Sequence, residues 1–200
     1  MEHKQQQALQ GLIRYFAQMP GLGTRSAKRL VYHLLNHPQK HLTPLLEKLS
    51  YMRDYVRHCD ECHAICFAPL CDVCNNPQRD KRLLCIVEKT QNIDALEQAG
   101  VYKGLYHVLG GVLSVFDNIT PDDLQIASLL KRIETHPIQE IIFALPATQE
   151  GRTTIYYLTD MLKSRNITLS LPAQGMPLGS DIEYLDTGTL MAAFDARKHI

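Results

Sequence analysis

The chain has 200 residues, 45% of them hydrophobic and 21% charged, a globular balance that excludes extensive disorder and leaves room for one large domain or two to three small ones. Its 21 Lys+Arg and 21 Asp+Glu sum to a formal charge of zero, which taken whole speaks against nucleic acid as a partner. Along the chain the balance is uneven: residues 1–82 hold 12 basic against 7 acidic side chains, net +5, and the remainder 9 against 14, net −5.

Gln5 to Ala17 carries Ala8, Leu9, Leu12, Ile13 and Phe16 at the spacing of an amphipathic helix, and Pro20-Gly21-Leu22-Gly23 ends it. Thr24 is placed to cap a second helix with Ala27, Leu30, Val31 and Leu34 on one face, closed by Asn36-His37-Pro38. Leu45, Leu46, Leu49, Met52 and Val56 predict a third helix over Thr43–Arg57, so the first 57 residues read as helical. The next segment, to about residue 80, has little periodicity and needs something other than a core to organise it. Short apolar β runs then alternate with helical stretches: strands at Leu83–Val87, Leu105–Leu109, Ile141–Ala144 and Ile167–Leu171, and helices at Asn92–Ala99, Asp122–Ile133 and Thr153–Leu162. That alternation predicts a mainly parallel sheet with helices on both faces. Glycine and proline punctuate Ala173 to Asp186, and Gly188–Arg197 reads as a short terminal helix. No run approaches the roughly 18 apolar residues that span a bilayer. Because Met1-Glu2-His3-Lys4-Gln5-Gln6-Gln7 also lacks the apolar core of a secretory signal, a soluble cytoplasmic protein with no membrane contact is expected.

Three constellations carry chemistry. In the turn between the first two helices, Gly21 and Gly23 permit a tight backbone whose N–H groups, with the following helix N-terminus, suit a phosphate oxygen. Arg25, Lys28 and Arg29 stand in the first turns of that helix, within reach of neighbouring phosphates, and favour a helix-hairpin-helix DNA contact over an ordinary turn with solvated arginines.

The second constellation is Cys59-x2-Cys62-x8-Cys71-x2-Cys74: two Cys-x-x-Cys pairs complete a tetrahedral sulfur shell for a structural zinc, with no open position for a substrate water. His58, His63 and Cys66 are rival ligands outside the symmetric spacing, and Cys85 reads as a small core residue. The third lies where parallel sheets place their sites, at the carboxyl ends of the strands: Glu88, Gly110-Gly111, and Glu150-Gly151 in the loop after the third strand. Two carboxylates without a third partner make a poor Mg²⁺ cage, and Arg152 adds positive charge beside them, so these residues argue against magnesium.

The order of these pieces resembles the RecR family of bacterial recombination mediators over nearly the whole chain. The matching residues are Met19-Pro20-Gly21-Leu22-Gly23-Thr24-Arg25-Ser26-Ala27, the cysteine quartet, Leu83-Leu84-Cys85-Ile86-Val87-Glu88, Asp117 to Leu124, Glu150-Gly151, and Gly175-Met176-Pro177-Leu178-Gly179. The resemblance implies a helix-hairpin-helix domain at 1–57, a four-cysteine zinc finger at 58–80, a Toprim-like α/β domain at 81–172, and a C-terminal segment at 173–200 involved in assembly. It further implies a non-enzymatic DNA-repair factor that works with RecO and RecF to load RecA at single-stranded gaps. Its subunits would form a homo-oligomer, a tetrameric ring or a dimer in solution, and Glu88 and Glu150 would lie on the RecO-facing surface. Catalytic Toprim enzymes pair their glutamate with Asp-x-Asp, where this chain has Glu150-Gly151-Arg152. A Mg²⁺-dependent nuclease or topoisomerase-like enzyme is the alternative reading. Further departures are Pro146-Ala147-Thr148 for the usual Asn-Pro-Thr, Gly110-Gly111 for Gly-His, and Leu171 at a commonly basic position.

Overall fold

Apolar residues three and four apart fold the amino-terminal segment into α1 (Glu2–Ala17) and α2 (Thr24–Asn36), which pack through Ile13, Ala27, Val31 and Leu34. These positions come from a computed structural model that describes residues 2–173, 175–177 and 179–197. The chain divides into two units, Met1–Val56 and Arg57–Ile200. In the first, a five-residue π-helical turn at Pro38–Leu42 leads into α3 (Thr43–Tyr55). Two expectations change here. Arg57 does not continue α3 but enters a short strand, and the apolar stripe of α3 packs against no core, since Leu46, Leu49, Met52 and Val56 are all exposed.

The second unit opens with a ribbon of β1 (Arg57–His58) and β2 (Ile65–Cys66), then a single turn, α4 (Asp72–Asn75). β3 (Asp80–Val87), α5 (Thr90–Ala99), β4 (Gly104–Val108), α6 (Ile126–Thr135), β5 (Glu140–Ala144), α7 (Gln149–Leu162) and β6 (Thr168–Ser170) follow. The four strands form one sheet in the order β4-β3-β5-β6 with every neighbour pair parallel, as the strand–helix alternation predicts. α8 (Thr187–Asp195), capped by Asp186, completes the unit, and Leu178 of the Gly175–Gly179 motif lies outside the described residues.

Strand alternation sends Leu84, Ile86, Ile141 and Phe143 to one face, where α6 and α7 cover them through Leu129, Ile133, Leu158 and Leu162. Cys85, Val87, Tyr106 and Val108 point to the other face. That face is not covered by helices alone: Ile93 of α5 shares it with Cys59, Cys62, Ala64 and Cys66. The cysteine-rich segment therefore does have a core, borrowed from the sheet, and aperiodicity concealed this because so short a segment contributes only scattered positions.

The predicted Asp122–Ile133 helix is broken. Pro121–Asp123 is a 3₁₀ turn held by a Thr120–Asp123 capping box, and Leu124 is extended, so α6 starts at Ile126. Burial of Leu124 and the Gln125 N–H donated to Leu109 O explain the break, because both tie the backbone to the sheet. α7 begins earlier than expected and takes Glu150-Gly151 out of the loop into its first turn, with Thr148 as the cap.

Candidate functional site

The ribbon and the turn of α4 bring the Cys59, Cys62, Cys71 and Cys74 sulfurs within 4.8 Å of one another, forming a four-cysteine metal-binding cluster. Cys62 Sγ lies 3.6 Å from Cys71 Sγ, close to the roughly 3.8 Å edge of a tetrahedron with 2.3 Å metal–sulfur bonds. His63 turns the first Cys-x-x-Cys at a left-handed φ of 62°, and its N–H donates to Cys59 O. The second pair is turned by α4, whose cap is Cys71 itself. Backbone amides support the sulfurs, Cys71 N–H donating to Cys59 Sγ at 3.3 Å and Cys74 N–H to Cys71 Sγ at 3.5 Å. Hydrogen bonding from Cys62, then from Cys74, lowers the Cys71 thiol while Cys62 and Cys74 are raised in turn, so the four sulfurs share their protons as one closely packed group. The donor set thus fits a thiophilic dication. Cys66 turns away and donates to Ala68 O at 3.0 Å, and Cys85 is a buried core thiol pushed up to about 12 by desolvation.

Sequence reasoning missed Arg132. This α6 residue is only 4% exposed, yet it donates to Tyr106 O at 2.5 Å, pairs with Glu61 Oε2 at 3.4 Å and reaches Cys74 Sγ at 3.7 Å. Four thiolates on a dication leave two negative charges, which a buried guanidinium at this distance offsets. The signal was available: Arg132 falls three residues after Leu129 on the buried face of α6, a position where an unpaired cation would be costly.

In the first unit Leu22 N–H donates to Met19 O across a turn with Pro20 second and Gly21 third. Gly21 has φ +78°, the pattern of a type II turn that a side chain at this position would strain. The cap of α2 is Gly23, not Thr24, because the polypeptide enters the helix one residue earlier; Gly23 is extended and, lacking a side chain, offers no capping hydrogen bond. The first turn of α2 contains no acid, and exposed Arg25, Lys28 and Arg29 line an open cleft with Ser26, Tyr32 and His33. Cations and uncapped amides are thus gathered on one helix terminus.

Glu88 and Glu150 are less clearly joined. Glu88 follows β3 and pairs with Lys89 Nζ at 2.8 Å. Glu150 lines a cleft of about 530 Å³ with Ser114, Phe116, Pro121 and Thr153, a lining that does not include Glu88. Arg152 faces a separate cleft with Met191 and Asp195 of α8. Gly151 has a packing reason: a Cβ there would stand 1.9 Å from Pro146 O. Beside the Glu150 cleft, the 114–119 loop is held by Ser114 Oγ donating to Asp117 Oδ2 at 2.7 Å, and it presents Val115 and Phe116, each 93% exposed.

Comparison with known proteins follows the same division. Family models match residues 9–52 as a RecR helix-hairpin-helix, 82–171 as a Toprim domain and 175–198 as a RecR C-terminal region. The recombination protein RecR of Rhodospirillum rubrum is 43% identical over 189 residues, 94% of this chain and 96% of that protein. Those of a Ruegeria species and of Bifidobacterium longum are 43% and 38% identical, each covering 96% of both chains.

Proposed function

Since this chain belongs to the RecR family of recombination proteins, we propose that it is a DNA-binding mediator of recombinational repair that makes no bonds itself and acts with RecO and RecF to promote RecA loading at single-stranded gaps. The observation that carries DNA contact is the start of α2, where Gly21 and Gly23 set the turn and Arg25, Lys28 and Arg29 surround amides free of a side-chain cap. Such contacts hold phosphates without reading bases. Glu88 and Glu150, with exposed Val115 and Phe116 beside the latter, supply acidic and apolar surface for a protein partner. The uncovered side chains of α3 support self-association into a dimer or tetrameric ring. No helix among the described residues is long and apolar enough to cross a membrane, and action at DNA places the protein in the bacterial cytoplasm, at the nucleoid when engaged.

The ion for the cysteine quartet is zinc, a structural metal that has no need of redox chemistry or an open position. Residues 58–80 form its module, between the hairpin domain at 1–57 and the Toprim-like domain at 81–172, with 173–200 serving assembly.

The test is DNA binding across a salt series. Replacing Arg25 and Arg29 by Ala should weaken binding similarly for all sequences and flatten the salt slope by up to about two phosphate contacts. Unchanged binding at matched salt would remove the hairpin from the DNA site. Strong Mg²⁺-dependent nicking abolished by Glu88→Gln would replace the mediator reading with an enzymatic one.

A further inference from the structure

We propose that His33, His37 and His41 form a second metal site, separate from the cysteine quartet, that takes one divalent transition ion of the zinc and nickel class. The three imidazoles come from successive pieces of the first unit: His33 from the last turn of α2, His37 from the residue that closes it, and His41 from the π-helical turn. Their ring centres stand 5.1 Å (33 to 37), 4.7 Å (33 to 41) and 5.9 Å (37 to 41) apart. Imidazole nitrogens bind such ions at about 2.0–2.1 Å, which puts the centres of rings sharing one ion about 4.5–5.3 Å apart; the 33–37 and 33–41 pairs already stand at that spacing, and the 37–41 pair has to close by about half an ångström or slightly more. The rings are also inclined to one another, by 62°, 35° and 82°, as ligands splayed around a common centre are.

The backbone break is what brings them together. In a straight α-helix, residues eight apart are separated by about 12 Å of rise, beyond contact. Here the first and third histidines are the closest pair. His37 leaves the helix at φ −130° and ψ 58°, Pro38 supplies no N–H to continue the ladder, and His41 N–H closes back on His37 O at 2.9 Å. π turns of this kind are uncommon and recur at functional positions.

The surroundings select the ion. Lys40 beside His41, and Arg29 one turn before His33, repel any cation, and the cleft that His33 lines has no acidic residue among its lining to attract Mg²⁺ or Ca²⁺. Only an ion with a strong bond to imidazole nitrogen overcomes that repulsion. Among the described residues only the cysteine quartet has its ligand atoms already within 4.8 Å, so binding requires the exposed His33 and His37 rings and the half-buried His41 ring to turn their nitrogens inward.

The experiment uses the full-length untagged chain with its cysteine quartet loaded with zinc. Titration with Ni²⁺, followed by calorimetry and elemental analysis, should show one Ni²⁺ bound per chain with zinc content unchanged. His33→Gln and His41→Gln should each weaken nickel binding about tenfold or more, while His3→Gln leaves it as it was. His33 is exposed, so helicity by circular dichroism should be retained in its variant, separating ligand loss from unfolding. No stoichiometric nickel, nickel taken up only as zinc is released, or uptake undiminished in both variants would each overturn the proposal.

Discussion

Gly151 shows how a single residue can carry a signature for a reason unrelated to chemistry. A methyl group at this position would collide with Pro146 O, a backbone atom that cannot swing aside. Gly151→Ala should therefore destabilise the second unit by about 1–3 kcal/mol, read as a lower midpoint in urea, with α7 displaced from the β5 exit. Arg132 is the corresponding case for charge. Arg132→Gln should weaken metal retention in a chelator competition by about 10–100-fold. It should also leave the Glu61 carboxylate without its guanidinium, although His136 Nε2 remains 3.5 Å from it. Metal affinity equal to wild type would confine Arg132 to packing between α6 and the Tyr106 carbonyl.

Among elements, those whose apolar pattern coincides with their environment were legible from sequence, and those fixed by a tertiary anchor were not. β3 reads as a buried strand because Leu84 to Val87 faces a packed layer on each side. The cysteine quartet reads from spacing because one ion requires four donors whatever the fold around it. α6 does not read correctly: its amphipathic pattern runs through Leu124, but that residue is pinned to the sheet in an extended conformation. α3 has the stripe of a core helix, yet its Leu46 and Leu49 are exposed, since periodicity reports an apolar face without saying what covers it. Leu46→Glu with Leu49→Glu should leave the helical content of the first unit unchanged and reduce self-association, measured by mass in solution. The opposite result, lost helicity with unaltered mass, would make the face internal. Arg132 escaped because its partners, Glu61, Cys74 and Tyr106, are distant in sequence.

For the whole molecule, the neutral sum of charges resolves at a structural boundary. Residues 1–56, the first unit, hold 8 basic and 3 acidic side chains, net +5, and residues 57–200 hold 13 and 18, net −5. The excess positive charge thus belongs to the unit that bears the hairpin, and the metal module falls with the acidic unit. Acid sensitivity should likewise reside in the second unit. Burial lowers His107 to about 3, and its Nε2–H donates to Gln125 O at 2.8 Å. Because the unfolded chain binds a proton near pH 6.5 that the folded chain refuses, stability should fall as pH drops from about 6.5 towards 3. Denaturation midpoints across that window should depend less on pH in His107→Gln.

Val108 N–H donates to Cys62 O at 2.8 Å, so β4, the strand at one edge of the sheet, ends on a carbonyl of the metal knuckle. The knuckle and the strand consequently share one opening event, and the ion sets the lifetime of both. On chelation, hydrogen exchange at the Val108 amide should accelerate in step with that at Cys71 and Cys74, while amides of α1 and α2 keep their rates. Removing the metal would then unlatch one face of the Toprim sheet, leaving a chain whose hairpin remains folded while its acidic unit has lost its shape.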